Sequence, residues 1–327
     1  MKKIVFLAFS DMHANDWTLA YPYGGNRLND SLKALEIVGS RANKLRVPIL
    51  FSGDLVHKPK SIENHVLEGL CMGLKNVTQI IGIDGNHDQS KANTHKNKSP
   101  GYFTTLSKLN RKIVSISDGI PVVVGDSTMG YMVHGIPYMK NNVGFRTYLK
   151  RHITKVKENP EYKHILLIHT DLPGAINDYE RKLETAENIK SLKVFKDFDL
   201  VLCGHIHKPQ VLSDKIIMVG APYQQNIGEM GKRRGYWEIY EDLTYEFIPI
   251  TTIPTYRHYD VDNPPKDFSK HIYVPKPKLE ITQEKTSTEA FSVSNSRVGI
   301  AKEYLKVKGE KKKSRRLILL NLIKGTI

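Results

Sequence analysis

The 327-residue chain predicts an α/β fold in which two β-sheets pack face to face and helices cover both outer sides, in the layer order α/β/β/α. Short apolar runs rich in β-branched residues alternate with amphipathic stretches as far as Cys203, which is typical of strands alternating with helices. From Lys215 onward, short strands follow one another without helices between them. Tight turns favour antiparallel pairing, so we expect these later strands to complete the second sheet.

The individual elements are predicted from hydrophobic periodicity. The first is a buried strand at residues 4–9, which ends at Ser10. Apolar residues at steps of three and four then predict a helix over residues 26–45. The other expected strands cover residues 48–51, 79–83, 122–124, 131–138, 165–168, 200–203, 216–219, 236–240 and 245–250. The other expected helices cover residues 62–74, 102–109, 145–157 and a stretch around 184–195.

Composition divides the chain into two parts. We expect a globular domain over residues 1–255 and a basic C-terminal extension over residues 256–327, with the boundary in the stretch 254–265. From residue 264 onward there are 15 basic and 6 acidic residues, and an apolar patch follows at residues 317–323. A basic segment with such a patch is more typical of a docking tail than of a folded domain.

The overall charge indicates a polyanionic partner. The chain has 49 basic and 34 acidic residues, a net charge of +15, which favours nucleic acid ahead of an anionic membrane. The alternative is a generally basic surface without such a partner. Cys71 and Cys203 are too few for a disulfide framework, and the apolar run after Lys3 is too short for a signal peptide or a membrane span. We therefore expect a cytoplasmic protein without a membrane segment.

Five predicted strands end in polar residues of the types that bind metal ions. These endings are Asp11-Met12-His13, Gly53-Asp54, Gly85-Asn86-His87-Asp88, Ile168-His169 and Gly204-His205-Ile206-His207. Because the carboxyl ends of neighbouring strands meet at one edge of a sheet, we expect these side chains to converge. Imidazole, carboxylate and amide groups in this number are sufficient for two divalent cations, which predicts a centre that hydrolyses phosphate esters.

The residue types also indicate how two cations would be held. A dinuclear centre needs a bridging carboxylate, and Asp54 is the candidate. Asp11 with His13 would serve one side, and Asn86 with His169 the other. The two histidines of the last motif are two positions apart, so they need an irregular loop to point usefully. The alternative is that all these groups are polar strand ends whose side chains are satisfied within the fold.

The five motifs in this order resemble those of the calcineurin-like metallophosphoesterase family. Within it, the chain is most similar to the SbcD-type nuclease subunit of DNA double-strand-break repair complexes, including the versions found in phage recombination endonucleases. Residues 53–57 match the Gly-Asp-Leu-x-His block of that branch. Residues 219–223, followed by Glu229 and residues 234–237, resemble a second block, and the short basic C-terminus is also similar. The resemblance covers roughly residues 1–255.

This resemblance implies a metallophosphoesterase sandwich and a role for each motif residue. One metal ion would be held by Asp11, His13, Asp54 and His207, and the other by Asp54, Asn86, His169 and His205. His87 would stabilise the phosphorane and protonate the leaving oxygen, Asp88 would orient His87, and His57 would contact substrate. The family commonly uses manganese, although mixed nitrogen and oxygen ligands suit iron, zinc and cobalt equally. The chain departs from the family pattern at residues 12–15, which leaves its substrate preference open.

Several other residues have two interpretations. Lysines that follow the predicted ligand loops would contact DNA phosphates or would be solvated surface; these are Lys58, Lys60, Lys91, Lys96 and Lys98. Trp17, Tyr21 and Tyr23 would stack on unpaired bases or pack within their own loop. His134 lies in an apolar strand, and we expect it to be a core histidine, not a metal ligand.

Three function hypotheses follow. The first is a manganese-dependent DNA exonuclease or endonuclease of recombination, repair or replication. It would work as a homodimer with an SbcC-type ATPase that docks on the C-terminal extension, in the host cytoplasm if the chain is phage-encoded. Val66, Leu67 and Leu70 would serve the dimer or ordinary core packing. The second hypothesis is a metallophosphatase or cyclic-nucleotide phosphodiesterase of the same superfamily, and the third is a binding scaffold that retains the ligands.

Overall fold

Two six-stranded sheets form the centre of the computed structural model, which describes residues 2–17, 26–58, 61–89, 100–125, 130–140, 142–184, 186, 188–260, 265 and 271–275. The strands are β1 (Ile4–Phe9), β2 (Ile49–Phe51), β3 (Ile80–Gly82), β4 (Ile113–Ser115), β5 (Val122–Gly125), β6 (Gly130–Ile136), β7 (Lys163–His169), β8 (Leu200–Gly204), β9 (Gln210–Ser213), β10 (Ile216–Met218), β11 (Gly235–Tyr240), β12 (Tyr245–Pro249), β13 (Thr255–Tyr259) and β14 (His271–Pro275). The helices are α1 (Arg27–Leu45), α2 (Asn64–Lys75), α3 (Tyr102–Leu109) and α4 (Asn142–Glu158), with 3₁₀ turns at Leu192–Phe195 and Ile227–Glu229.

Each sheet has a parallel centre and antiparallel edges. The first sheet has the order β12-β11-β1-β2-β3-β4, and the second has the order β5-β6-β7-β8-β10-β9. Strands β1 to β4 run parallel to one another, and so do β6, β7, β8 and β10. The antiparallel pairs are made by β11, β12, β5 and β9. The parallel strands therefore bring the polar residues that follow them to one end of each sheet.

Three apolar clusters fill the spaces between four layers. Successive side chains of a strand point to opposite faces of its sheet. On β1, Leu7 and Phe9 accordingly pack with the cluster under α1, α2 and α3, whereas Phe6 and Ala8 lie in the cluster between the two sheets. The third cluster lies between the second sheet and α4, around Phe145. The predicted α/β/β/α sandwich is confirmed.

Helix α1 shows why the local predictions agree with the structure. The Asn26 side chain accepts a hydrogen bond from the backbone N–H of Leu28 at 2.8 Å, which caps the first turn. The helix ends at Arg46, which has a left-handed backbone conformation. None of the described helices is both long enough and apolar enough to cross a membrane.

The helix expected around residues 184–195 is wrong, because only Leu192–Phe195 form a single 3₁₀ turn in the described part of this stretch. Leu183, Ala186, Ile189 and Leu192 all pack against the third apolar cluster. An irregular segment that buries every third residue imitates a helical period, which is what misled the sequence interpretation.

The later strands pair differently from the sequence expectation. β11 and β12 do form an antiparallel pair, but they extend the first sheet beside β1 and do not complete the second. β10 joins the second sheet parallel to β8. Trp237 faces the cluster between the sheets and Tyr236 faces the helix side. A strand that buries both faces fits either sheet, so its pattern does not say which one it joins.

The described part of the C-terminal extension packs on the globular domain. β13 and β14 form a two-stranded parallel sheet. Tyr256 is buried, with its backbone N–H donating to Gln224 Oε1 at 2.8 Å and its hydroxyl donating to the Gln225 carbonyl at 3.3 Å. The division into residues 1–255 and 256–327 stays a prediction, and the apolar patch at residues 317–323 lies outside the described residues.

His134 is fully buried, as expected of a core histidine, and lies between two other buried histidines. Its two ring nitrogens lie 3.1 Å from His152 Nδ1 and 3.0 Å from His164 Nδ1. The far nitrogens of these outer rings donate to the Gly135 and Asn159 carbonyls, each at 3.0 Å, so their near nitrogens accept and a neutral His134 ring donates to one of the two. The three rings therefore connect α4 to β6 and β7.

We expect these buried rings to make the protein less stable in acid. Burial lowers the pKa of His134 to about 3 and that of His152 to about 4, so both rings stay neutral in the folded protein at mildly acidic pH. In the unfolded chain they titrate near 6.5, roughly the value of a free histidine. At pH values between the folded-state and unfolded-state pKa values, the unfolded state therefore binds more protons than the folded state does. As the pH is lowered through this range, the free energy of unfolding should decrease by up to about 1.4 kcal/mol per pH unit for each ring.

Urea denaturation at about pH 7 and about pH 5 measures this loss, since the linear extrapolation gives the free energy of unfolding at each pH. The variant His134→Gln should show a smaller loss between the two conditions than the parent chain does. The variant His258→Gln, at an exposed histidine, should show the parental loss. An unchanged pH dependence in His134→Gln would contradict the prediction.

Candidate metal centre

The seven side chains predicted to bind metal come together where β1, β2, β3, β7 and β8 end. Asp54 lies at the middle of the group. Its Oδ2 atom is 3.4 Å from His13 Nε2 and 3.3 Å from His169 Nε2. Four of the seven are buried, since Asp11, His13, Asp54 and His169 are all at most 3% exposed, and the other three are partly exposed to solvent.

The first set of converging atoms lies on the side of β1. The ligand atoms of Asp11, His13 and His207 lie within 4.8 Å of one another. His13 Nε2 and His207 Nε2 are 3.1 Å apart. Together with Asp54 Oδ2, these atoms form one possible cation site.

The second set lies on the side of β7 and β8. Asn86 Oδ1 is 2.9 Å from His169 Nε2 and 3.0 Å from His205 Nδ1. The ligand atoms of Asp54, His169 and His205 also lie within 4.8 Å of one another. Both sets therefore share the same carboxylate, Asp54.

The chemistry of this donor set fits divalent cations. His169 Nδ1 lies 2.7 Å from the Ser52 carbonyl and donates to it, so Nε2 faces Asn86 Oδ1 and Asp54 Oδ2, and in a neutral ring it would turn a lone pair toward them. Lone pairs that face one another repel unless a positive charge lies between them. With metal–ligand bonds of about 2.1 Å, adjacent ligand atoms of an octahedral site lie about 3 Å apart, which matches these separations.

In the absence of a cation, burial and neighbouring charges shift the pKa values of these side chains in both directions. Burial opposes protonation of His169, but the Asp54 carboxylate outweighs it and raises the pKa of His169 to about 9. Burial also opposes protonation of His207, and the hydrogen bond to Glu229 raises its pKa to about 8. Burial and the neighbouring His169 lower the pKa of His205 to about 4. Burial raises the pKa of Asp54, but His169 and His13 outweigh it, and the net effect is a lowered pKa.

Unusual backbone conformations aim these side chains. A positive φ angle is uncommon for residues other than glycine. Four of the seven candidate ligands have one, namely Asp11 (52°), His13 (47°), Asp54 (63°) and His205 (97°). Each such conformation costs of order 1–3 kcal/mol and clusters at functional sites in proteins. The irregular loop that the His205 and His207 spacing requires is therefore present.

Hydrogen bonds between the loops hold this strained backbone. The N–H of Asp11 donates to the Gly53 carbonyl at 2.9 Å, and the N–H of His13 donates to the Asp54 carbonyl at 3.0 Å. The N–H of His205 donates to Asp11 Oδ1 at 3.0 Å. The loops after β1, β2 and β8 thus position one another.

Two glycines let the loops approach closely. Gly53 has a φ of 97°, and a Cβ atom there would lie 2.6 Å from His169 Nδ1. A Cβ atom at Gly85 would lie 2.1 Å from Asp54 Oδ1. Side chains at either position would displace a candidate ligand, which explains why glycine precedes both Asp54 and Asn86.

His87 and His57 lie beside the first set of ligands. The His87 ring is 4.5 Å from the His13 ring and is stacked on the His57 ring, with centroids 5.0 Å apart. The backbone N–H of His87 donates to Asp54 Oδ1 at 2.8 Å, and His87 Nδ1 donates to the His57 carbonyl at 2.7 Å. Burial and the neighbouring His87 together lower the pKa of His57 to about 4.

Asp88 does not contact the His87 side chain as the resemblance implied. Its buried carboxylate accepts hydrogen bonds from four backbone N–H groups, those of Asp54, Leu55, Val56 and Gly85, at 2.8–3.1 Å. Burial and the neighbouring Asp54 raise the pKa of Asp88, whereas two of these N–H groups lower it. Asp88 therefore ties the loop after β2 to the loop after β3, and the Nδ1 of His87 is held by a backbone carbonyl instead.

Of the lysines predicted to contact DNA, Lys58 is exposed and lies 3.6 Å from Glu63. The others lie outside the described residues; these are Lys60, Lys91, Lys96 and Lys98. The Trp17 ring lies 4.3 Å from the His57 ring, while Tyr21 and Tyr23 also fall outside the described residues. Val66 and Leu70 are buried in the first apolar cluster and Leu67 packs against it, so their described contacts are those of a core.

Sequence reasoning gave no role to several groups that support the ligands. Ser52 accepts from His169 Nδ1, and Glu229 Oε1 lies 2.9 Å from His207 Nδ1. Gln225 donates to the Asp11 carbonyl, and the Tyr223 hydroxyl donates to the Met12 carbonyl at 3.0 Å. Glu229 stood in the block of residues similar to the SbcD-type branch, and that was the only sequence signal for it.

The chain belongs to the calcineurin-like phosphoesterase family, whose model matches residues 4–209, a range that contains all seven candidate ligands. The protein is therefore a hydrolase of a family that uses divalent metal ions. It is similar to the SbcD subunit of nuclease SbcCD from Staphylococcus saprophyticus, with 24% identity over 265 residues that cover 73% of this chain and 68% of that protein. The resemblance to an SbcD-type metallophosphoesterase is thereby confirmed.

Two solved structures are also similar. Phosphopantetheinyl hydrolase from Mycobacterium tuberculosis shows 12% identity and a TM-score of 0.38, covering 66% of this chain and 88% of that one. A hypothetical protein from Thermus thermophilus shows 12% identity and a TM-score of 0.37, covering 66% and 75%. These two values carry no conclusion about function.

Proposed function

We propose that this protein is a metal-dependent DNA nuclease that hydrolyses phosphodiester bonds with the help of an SbcC-type ATPase. The observation that carries the proposal is the pair of converging donor sets that share Asp54 Oδ2. The similarity to a subunit of an SbcCD nuclease favours DNA as the substrate. The net charge of +15 is in keeping with a polyanionic substrate.

In this proposal the seven residues hold two divalent cations, manganese by preference. One is held by Asp11, His13, Asp54 and His207, and the other by Asp54, Asn86, His169 and His205. Such cations, when bound, neutralise the charge that develops on a phosphate and activate water. Asp54 supplies the carboxylate that both positions need.

His87 is proposed as the proton donor to the leaving oxygen. Because His87 Nδ1 donates to the His57 carbonyl, the ring is fixed with its Nε2 edge free to carry a second proton. A ring that is protonated at both nitrogens can then give up the Nε2 proton as the phosphodiester bond breaks. His57 stacks on this ring, and we propose that it contacts the substrate.

The partners follow from the same relative. We propose that the extension at residues 256–327 is the docking segment for the ATPase, and that the protein acts as a homodimer in the cytoplasm. The described part of this extension contacts the globular domain through Tyr256. A partner bound there would be close to the 223–225 loop, which contacts the residues after β1.

Activity of the purified chain on DNA tests the proposal. With manganese, we expect degradation of single-stranded or double-stranded DNA, increased by the ATPase and abolished by a chelator. A parallel assay with p-nitrophenyl phosphate reports phosphomonoester cleavage. Rapid cleavage of the phosphomonoester with no cleavage of DNA would replace the nuclease by a phosphatase. Failure to bind manganese, iron, zinc or cobalt would leave only a binding scaffold.

A further inference from the structure

Glu229 lies behind the candidate metal centre, on the far side of the His207 ring from the converging ligand atoms. Its carboxylate is completely buried. Oε1 lies 2.9 Å from His207 Nδ1 and accepts from Asn226 Nδ2 at 2.8 Å. Oε2 accepts from the backbone N–H of Gln225 at 2.9 Å and from Arg234 Nε at 3.1 Å. Every contact made by this carboxylate is thus with a hydrogen-bond donor.

The other candidate histidine ligands are supported differently. His169 Nδ1 donates to a neutral carbonyl, that of Ser52. His205 Nε2 lies 3.6 Å from Asp171, whose side chain is 42% exposed. His13 Nδ1 is buried and has no hydrogen-bond partner among the residues that the structure describes. Among the candidate histidine ligands in that part of the chain, only His207 therefore has a buried carboxylate at the ring nitrogen that faces away from the cation site.

We propose that Glu229 is a positioning residue that fixes His207 and makes the cation site of Asp11, His13 and His207 the tighter of the two. The inference rests on the proposed metal centre and adds which of its two cation sites binds more tightly. Among the described members of the two donor sets, the Glu229 carboxylate contacts His207 alone, so it acts on the cation sites only through that ring.

Three physical effects support this role. The carboxylate can only accept, so it fixes the His207 proton at Nδ1 and leaves the Nε2 lone pair for a cation. It holds the plane of the ring, and its negative charge makes the imidazole a better donor. Carboxylates behind metal-binding histidines typically change metal affinity by about 10–100-fold when removed.

Glu229 is itself held by an ion-pair chain. Arg234 is buried and donates through Nη2 to Asp178 Oδ1 at 2.5 Å, as well as to Glu229. The chain His207–Glu229–Arg234–Asp178 therefore runs from the candidate centre to the loop after β7. A purely structural role would consist of this Glu229–Arg234 pair alone, and it would leave metal affinity unchanged.

Titration of the full-length, metal-free protein with Mn²⁺ in a calorimeter separates these roles. For the parent chain we expect two binding steps. In Glu229→Gln the tighter step should weaken by about 10–100-fold, while the weaker step stays within about threefold of its parental value. Electron paramagnetic resonance at one equivalent of Mn²⁺ should then show more free ion in the variant than in the parent.

Glu238→Gln is the matched control. Glu238 is also a buried glutamate paired with an arginine, Arg41 at 2.7 Å, and it lies on β11 away from the ligands. This variant should bind both ions with parental affinity. Equal affinities in Glu229→Gln and the parent, or an equal weakening in Glu238→Gln, would overturn the proposal.

A second variant covers the case in which Glu229→Gln does not fold. Asp178→Asn, at the outer end of the ion-pair chain, should weaken the same tighter step by a smaller factor, and parental affinity in this variant would overturn the proposal. If the parent chain itself binds no Mn²⁺, the proposed metal centre fails. If the parent binds two ions and Glu229→Gln binds them equally well, only the present inference fails.

Discussion

Replacing Asp54 with asparagine is expected to abolish hydrolysis, with kcat reduced by about a thousandfold or more. Oδ2 of Asp54 faces both donor sets, and asparagine removes the negative charge that the two cations would share. Asparagine can keep its oxygen on the His87 backbone N–H, which now donates to Oδ1 at 2.8 Å. Its NH₂ group would then point at both cation positions. Loss of several kcal/mol of transition-state stabilisation corresponds to about this factor.

Kinetics and Mn²⁺ titration of Asp54→Asn measure this effect. Both binding steps should weaken, in contrast to the single step affected at Glu229. Asp84→Asn is a suitable control, because Asp84 is also buried but its side chain contacts Thr104 and not the donor sets. More than a tenth of parental activity in Asp54→Asn would show that this carboxylate is not shared.

His87→Gln should reduce kcat by about 10²–10⁴, the usual contribution of a proton-transfer group, while both cations stay bound. Glutamine can accept no second proton and therefore cannot protonate a leaving oxygen. The hydrogen bonds of His87 are made by its backbone N–H and by Nδ1 to a carbonyl, and its ring otherwise packs only on His13 and His57 among the described residues, so the fold should be retained.

The leaving group provides the decisive comparison for His87. DNA has an alkoxide leaving group, which needs a proton, whereas bis-p-nitrophenyl phosphate releases a stable phenolate, which does not. His87→Gln should therefore lose much more activity on DNA than on the aryl ester. Equal losses on both substrates, or loss of Mn²⁺ binding, would assign His87 a different role.

Much of the fold was predictable because its strands and helices carry strong local patterns. β1 and α1 lie within a residue or so of their expected positions. The candidate ligands could be found for a related reason, since histidine, aspartate and asparagine directly after buried strands are unusual residue types there. The parallel order of those strands then brings them to one end of the sheets.

The errors concern contacts that depend on distant parts of the chain. The choice of sheet for β11 is made by pairing with β1, over 200 residues earlier. Asp88 is next to His87 in sequence, yet successive side chains of a turn point in different directions, and Asp88 points at the loop after β2. Glu229 shows the same limit, because a lone glutamate has no local pattern that predicts a buried partner.

The arrangement of β1 has a consequence for biosynthesis. This strand precedes Asp11 and His13, yet one of its two neighbours, β11, is formed by residues 235–240. A ribosome must therefore have translated most of the globular domain before its first strand is flanked on both sides. Under the proposed function, a chain that ends before His207 lacks one of the candidate ligands, so hydrolysis requires translation to pass this residue.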